Sequence, residues 1–525
     1  MENRQSGHIE IMDTTLRDGE QTAGVSFNAD EKLAIARLLL EELKVNRIEV
    51  GSARVSKGER QAFEKICDWA STCNHLEQIE LLGFVDNGLS IDWISSSGGK
   101  VLNLLAKGSL RHLIGQLKKA PQEHMDDILR CVDKADAKGM DVNIYLEDWS
   151  GGMLGSPEYV SFLIDNLAKT SIKRFMLPDT LGILNHEQTA KYCTMMVDRY
   201  PSLHFDFHAH NDYDLAVANT FEAVKAGFKG IHTSVNGLGE RAGNMPIASA
   251  IGLLNDHLHR ENTIDESALT HVCRYVATIS GIRIPANKPL VGDSVFTQTS
   301  GVHADGDKKG NLYQNALLPE RFGRVREYAL GKTSGKANIV KNLEKLGMTL
   351  TPEQMKLVTE RVVELGDKKE SMTEEDLPFI IADVLKGGHS PGEDNIRIIN
   401  YSLQLSRGMR PVANLKIDIL GTEYQESSAG DGQYDAFMKA LWKIYDRLGK
   451  KHPVLTDYQV NIPPGGKTDA LVATTISWNS EGHEFRTRGV DSDQTEAAIK
   501  ATVKMLNIIE NTNFNKGRAK KCPSD

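Results

Sequence analysis

Between residues 9 and 237 the chain contains eight short strand-like runs, at 9–13, 47–51, 79–85, 101–105, 142–147, 174–177, 204–208 and 230–236. The gaps between them are mostly helix-like; over 30–43, apolar residues recur at three- and four-residue steps. Glycines such as Gly139 and Gly227 stand just before strands, where a helix stops. Eight strands alternating with helices predict a closed (β/α)8 TIM barrel of α/β class, with a doubly wound open sheet as the rival.

A barrel of this kind places its chemistry at the C-terminal ends of its strands. Those ends read Arg17 and Asp18, Glu49, Glu147 and Asp148, Asp179 and Thr180, the pair His208 and His210, and Asn236. Polar residues thus gather at one end of strands whose bodies are apolar. Along Phe205-Asp-Phe-His-Ala-His210, residues two apart share a face, so His208 and His210 project side by side. A lone pair with this spacing is more often two satisfied or surface histidines. The segment Thr15-Leu-Arg-Asp-Gly-Glu20 changes that reading by offering Asp18 as a third donor with Arg17 beside it. Two imidazoles and a carboxylate suit a divalent metal ion with positions left open for substrate.

Beyond the barrel, assigned to 1–280, a linker and helical subdomains are expected over 281–390. Helices are predicted at 265–281 and 351–385, with a polar loop at 302–312. The Gly- and Pro-rich stretch 386–395 is the best linker. After it, strands at 396–405, 412–420, 458–462 and 470–478 and helices at 434–448 and 495–509 predict a C-terminal α+β domain over 391–525, ending in a polar, basic tail.

Composition excludes several classes. Lys and Arg total 62 against 71 for Asp and Glu, a net charge of −9 without long single-sign runs, so neither nucleic acid nor an anionic membrane is an expected partner. No apolar run approaches the length of a membrane span. Cys67, Cys73, Cys131, Cys193, Cys273 and Cys522 show no CxxC spacing, and residues 1–7 form no apolar signal core. Both point to a reduced, cytoplasmic setting. Gly237-Leu-Gly-Glu-Arg-Ala242 matches a dinucleotide fingerprint formally, but it closes an eighth strand and carries two charges in its turn. Gly466-Lys-Thr468 suggests a phosphate loop, but Asn461 stands where its first glycine belongs.

Thr15-Leu-Arg-Asp-Gly-Glu-Gln21, His208-Ala-His-Asn-Asp212 and Asn236-Gly-Leu-Gly-Glu-Arg-Ala-Gly-Asn244 together resemble the 2-isopropylmalate, homocitrate and citramalate synthase family. The first two motifs are shared with a wider group of metal-dependent barrel lyases; the third and the C-terminal extension point to the synthases. Within the family, Ala53-Arg-Val-Ser-Lys-Gly58 and Tyr145-Leu-Glu-Asp-Trp149 resemble the (R)-citramalate synthases most. The resemblance implies condensation of acetyl-CoA, as co-substrate, with a 2-oxo acid, followed by thioester hydrolysis. Asp18, His208 and His210 would hold Mg²⁺, Mn²⁺ or Zn²⁺, with Asn244 a further ligand or a partner behind the ligands. Arg17 would stabilise the alkoxide and Thr180 the oxo acid's carboxylate; without the family match, Asp179-Thr180 reads equally as a helix N-cap. Glu147 would lie near the acetyl group. His303 and Tyr313 match residues that the family supplies from a helical subdomain, often across subunits; His303 alone reads as a surface-loop histidine. The identity of the general base stays open.

Leu82, Leu105 and Tyr145 match the bulky lining of a pyruvate pocket, which implies (R)-citramalate and isoleucine biosynthesis. The alternative is 3-methyl-2-oxobutanoate and leucine biosynthesis, since branched residues also fill any barrel interior. The resemblance further implies a homodimer and an amino-acid effector, isoleucine or leucine, with Ser428-Ala-Gly-Asp-Gly432 and Pro463-Pro-Gly-Gly-Lys-Thr-Asp469 matching the regulatory pattern. Rival readings are a non-haem iron oxygenase, a carbon–carbon lyase on the same barrel, and an amino-acid sensor that has lost catalysis.

Overall fold

Eight parallel strands close on themselves in chain order: β1 (Glu10–Asp13), β2 (Arg47–Ser52), β3 (Ile79–Phe84), β4 (Val101–Lys107), β5 (Asp141–Glu147), β6 (Arg174–Asp179), β7 (Phe205–Ala209) and β8 (Gly230–Thr233). The structure, a computed structural model, describes residues 7–310, 312–346, 349–367, 396–461, 472–480 and 482–510, together with Leu377, Ile380, Ile381 and Val384. Closure comes from β1 against β8, with Glu10 opposite Gly230 and Asp13 opposite Thr233. The expected barrel is the one observed, and the open sheet is excluded.

The two-residue period of each strand divides its side chains between two environments. One set, including Ile11, Ile48, Leu81, Leu102, Ile144, Phe175, Phe207 and Ile231, packs in the main core with the surrounding helices. The other set points into the barrel. There Met12, Leu82, Tyr145 and Met176 form a small separate apolar cluster. Below it the interior is charged: Arg47 pairs with Glu80 at 2.9 Å, Asp206 at 2.6 Å and Glu10 at 3.2 Å. Charges this deeply buried persist only when paired. On β8 the rung facing Asp206 must be glycine, because a Cβ at Gly230 would sit 2.0 Å from the Asp206 carboxylate.

Two compact units make up the chain: Met1–Phe296 with Gln314–Arg326, and Thr297–Tyr313 with Glu327–Asp525. The first contains the barrel and the helix Leu269–Ser280, which lies within the predicted 265–281. The second begins with two short parallel strands, β9 (Thr297–Gln298) and β10 (Glu327–Tyr328), and the helices Gly301–Lys308, Lys336–Leu346 and Pro352–Asp367. It continues as two antiparallel three-stranded sheets, β11 (Ile396–Gln404), β12 (Val412–Ile419) and β13 (Thr422–Ala429), then β14 (Val454–Asn461), β15 (Val472–Ser480) and β16 (His483–Asp491). Each sheet is followed by one helix, Gln433–Arg447 and Gln494–Glu510. Both sheets and both helices feed a single core that includes Leu415, Ile417, Phe437, Leu441, Ile476, Trp478 and Met505. The chain therefore repeats a βββα order twice.

Several expectations are corrected. The predicted loop 302–312 is helical through Lys308. Its glycine-bearing sequence hides this, because Gly306 is where the Tyr313 ring packs, 2.4 Å from a Cβ placed there. β13 and β16 were not expected; both lie at sheet edges, and polar edge strands such as Thr422–Ala429 lack an apolar signal. β8 stops at Thr233, and Val235–Gly237 forms a 3-10 turn. The predicted linker 386–395 and the segments Gly466-Lys-Thr468 and 463–469 lie outside the described residues. No helix among the described residues is long and apolar enough to cross a membrane.

Candidate active site

After β1 the chain turns tightly: Thr14 O accepts the N–H groups of Arg17, Asp18 and Gly19 at 3.1, 2.8 and 3.1 Å. The turn carries Arg17 and Asp18 over the C-terminal mouth of the barrel. Arg17 is held on three sides, donating from Nε to Glu49 Oε2 at 2.5 Å and from Nη2 to Tyr145 Oη at 3.2 Å, with Nη1 3.1 Å from Asp18 Oδ2.

His208 is on β7, and His210 follows the strand in an isolated backbone bridge to Asn244. Their Nε2 atoms face each other at 3.3 Å, lying 3.1 and 3.8 Å from Asp18 Oδ2. Burial pushes each imidazole down to about 4, so both are neutral near pH 7. Burial alone would raise the Asp18 carboxyl, but Arg17 and His208 hold it well below the usual carboxylate range. Two neutral nitrogens and a carboxylate oxygen thus converge, and these three residues are the one such cluster found among the described residues. Asp18 Oδ1 is buried and accepts no hydrogen bond, and neither does Asn244 Oδ1, while Asn244 Nδ2 donates to Leu238 O at 3.2 Å. Two imidazole nitrogens and a carboxylate oxygen close together, with buried oxygens of Asp18 and Asn244 left without donors, fit a bound cation, and these ligand types admit Mg²⁺, Mn²⁺ or Zn²⁺.

A cavity of about 270 Å³ opens beside this cluster, lined by Arg17, Leu82, Leu105, Tyr145, Glu147 and Thr180 together with the histidines. Tyr145 is 2% exposed and meets His208 edge to face at 6.0 Å. Thr180 Oγ1 accepts the Asp148 N–H at 2.9 Å. The N-cap alternative for Asp179-Thr180 is not what is observed: Asp179 accepts from Ile183 and Leu184 N in a turn, and Asn185 caps the next helix with Gln188. Glu147 is ion-paired with Lys107. The buried Asp148 that follows takes a left-handed φ of 61°, turning the chain away just after Glu147. Asn236 lies in the 3-10 turn and donates to Cys273 O at 2.8 Å. A wider cavity of about 580 Å³, around Lys44, Arg260 and Asp265, lies apart from these groups.

His303 and Tyr313 belong to the second unit, where their rings meet at a tilt of 34° with centroids 4.2 Å apart. In the first unit, sequence reasoning missed Lys107, Phe84 at the cavity rim, and three groups behind the mouth. These are His232 and Asp206, inside the barrel, and Lys32, fully buried on the helix Ala29–Arg37. Strand parity could have found His232, since it stands two residues beyond Gly230 and shares its inward face.

Three family descriptions match consecutive stretches: HMGL-like over residues 8–276, homocitrate synthase post-HMGL domain-like over 290–370, and LeuA allosteric (dimerisation) domain over 371–510. An (R)-citramalate synthase of Methanocaldococcus jannaschii is 30% identical over 511 residues, covering 96% of this chain and 100% of that protein. A 2-isopropylmalate synthase of a Geobacillus species is also 30% identical over 511 residues, covering 95% and 96%. That of Nitratidesulfovibrio vulgaris is 30% identical over 514 residues, covering 96% and 97%.

Proposed function

The chain belongs to the 2-isopropylmalate, homocitrate and citramalate synthase family, and from that premise we propose that it condenses acetyl-CoA with a 2-oxo acid at the mouth of the barrel and releases CoA. The preferred oxo acid is pyruvate and the product (R)-citramalate. The observation that carries this choice is the fixation of Tyr145: its hydroxyl meets Arg17 at 3.2 Å and His232 at 3.1 Å, so the ring cannot swing aside for an isopropyl group. Leu82 packs in the same apolar cluster and Leu105 against it.

In this reading Asp18, His208 and His210 hold a divalent ion, with Asn244 behind His210. Once bound, the ion supplies Lewis-acid polarisation of the ketone. Arg17 places a fixed cation where the keto oxygen becomes an alkoxide, and its pairing with Glu49 and Tyr145 removes the cost of orienting it during reaction. A preorganised donor at such an oxygen typically contributes about 3–4 kcal/mol. Thr180 and the cavity wall orient the oxo acid. Two groups can take the proton from the acetyl methyl carbon: Glu147, which lines the cavity, and His303, which packs against Tyr313 and is delivered by the partner subunit of a homodimer.

The C-terminal βββα pair is the regulatory domain, with isoleucine as the feedback effector and Ser428–Gly432 in its site. Coupling of this kind has an energy of about 1–3 kcal/mol. The deciding experiment is thiol release from acetyl-CoA with pyruvate and 3-methyl-2-oxobutanoate in parallel. A kcat/KM about tenfold or more higher for pyruvate, a difference within the reach of a hydrophobic pocket, supports the reading. The reverse order identifies 2-isopropylmalate synthesis with leucine as effector. Full turnover in metal-stripped buffer would remove the ion from the mechanism.

A further inference from the structure

One imidazole inside the barrel reaches past Tyr145 to the metal cluster itself. His232, in the middle of β8, is 2% exposed. Its Nε2 lies 3.2 Å from Asp206 Oδ2, and its Nδ1 lies 3.1 Å from Tyr145 Oη and 3.3 Å from His208 Nδ1. The ring meets Tyr145 and His208 edge to face, at 5.5 and 5.3 Å.

The hydrogens in this chain run in one direction. Asp206 is a carboxylate: Arg47 Nη2 lies 2.6 Å from its Oδ2, and His204 Nε2 lies 2.9 Å from its Oδ1. A carboxylate only accepts, so the hydrogen of neutral His232 sits on Nε2 and its Nδ1 holds a lone pair. That lone pair stands 3.3 Å from His208 Nδ1, which calls for a hydrogen between them; placed on His208 Nδ1, it leaves the Nε2 lone pair facing Asp18 and His210, an arrangement that a bound cation favours and the Asp18 carboxylate alone does not. The Tyr145 hydroxyl reaches the same lone pair at 3.1 Å, but it has a second acceptor in Glu49 Oε2 at 3.4 Å, and donating there leaves the His232 lone pair to His208. The opposite tautomer of His232 would set two N–H groups against each other and turn a lone pair toward the Asp206 carboxylate.

We infer that His232 is a positioning residue: anchored on Asp206, it accepts the Nδ1–H of His208 and holds that ring in the tautomer whose Nε2 lone pair faces the metal position. This rests on the reading of Asp18, His208 and His210 as a metal site. Orienting contacts behind a metal ligand are worth about 10–100-fold in affinity.

The test titrates Mn²⁺ into the metal-stripped full-length protein by calorimetry, with thermal unfolding run on each variant and Asp18→Ala as the control for binding elsewhere. His232→Asn puts an amide oxygen where Nδ1 stood and keeps the acceptor for His208. His232→Gln reaches instead toward the Nε2 position, and His232→Met offers no comparable acceptor, so the contrast survives if one of those two fails to fold. The expected result is Mn²⁺ affinity within about threefold of wild type for the Asn variant and about 10–100-fold weaker for Gln and Met. Equal weakening in all three, or none in Gln and Met, overturns the tautomer role and leaves the metal site standing. Wild-type binding no tighter than that of Asp18→Ala overturns the metal reading and this inference with it.

Discussion

The ammonium of Lys32, fully buried on the first barrel helix, donates to the carbonyl of Leu16 at 3.1 Å, one residue before Arg17. The same Nζ donates to Val50 O at 3.3 Å and meets Glu20 at 2.7 Å and Glu59 at 2.5 Å. One cation therefore ties the Arg17–Asp18 turn to the end of β2 and the start of the helix Lys57–Thr72. The precision of the site at the barrel mouth depends on a charge that never reaches it.

Replacing Lys32 with Met keeps the volume and removes the charge. It leaves Glu20 and Glu59 together without their cation, and breaking a buried pair in this way costs about 3–5 kcal/mol. Urea unfolding should show that loss. Metal affinity should fall as well, because the turn that carries Asp18 loses its anchor. A variant as stable as wild type would mean that water replaces the ammonium.

Arg17→Lys preserves charge and loses the fork that meets Glu49, Asp18 and Tyr145 together. Donors aimed at a developing oxyanion act on kcat, and removal of one typically lowers it about 10²–10³-fold. Steady-state kinetics on the better oxo acid should show that loss with a much smaller change in KM. An unchanged kcat would take Arg17 out of the alkoxide role.

Strand count and the mouth of the barrel were legible because both are periodic signals: eight apolar runs, each with a polar end. His208, His210 and Asp18 converge as two-residue parity and motif placement imply. The ion-paired interior was not legible. Arg47, Glu80 and Asp206 look like surface residues of half-buried strands, and only the closed barrel brings Glu80 and Asp206 each within 3 Å of Arg47. Lys32 was hidden for a related reason. A lysine in an amphipathic helix reads as solvated until neighbouring loops fold over it. The polar edge strands β13 and β16 were lost because their stabilisation lies in backbone pairing to β12 and β15, which side-chain pattern does not report.

Acid stability offers a test away from the metal cluster. His124, buried on the helix Pro121–Ala137, accepts the Lys107 N–H through Nε2 at 3.1 Å. Burial pushes its imidazole down to about 4 from the ordinary 6.5. The folded state therefore binds fewer protons than the unfolded chain between these values. The stability it contributes is full above 6.5 and is lost as pH falls toward 4. The full loss is at most about 3 kcal/mol. His124→Gln can keep an acceptor for Lys107 but cannot titrate. Its melting temperature should fall less than wild type's between pH 7 and 4.5, by an amount equal to at most about one proton taken up on unfolding. Parallel curves would show that protonated His124 is accommodated without loss of the Lys107 contact.

In the proposed reading Tyr145 serves substrate choice and scaffolding at once, and the two separate in a ratio. Tyr145→Ala removes the ring from the cavity wall beside Leu82 and Leu105, but it also deprives Arg17 Nη2 of an acceptor and His232 of a packing contact. Absolute activity should therefore fall with both oxo acids. The scaffolding loss is common to both substrates and cancels when kcat/KM for 3-methyl-2-oxobutanoate is divided by that for pyruvate. The steric gain does not cancel. Room for added methyl groups in an apolar pocket is worth about 1–3 kcal/mol, so the ratio should rise about tenfold or more toward the branched acid. Tyr145→Phe keeps the ring and loses the hydroxyl contacts that pin it; it should lower activity with both acids and move the ratio in the same direction as Ala, but less far. If the Phe variant shifts the ratio as far as Ala does, selectivity resides in those hydrogen bonds rather than in the ring's volume.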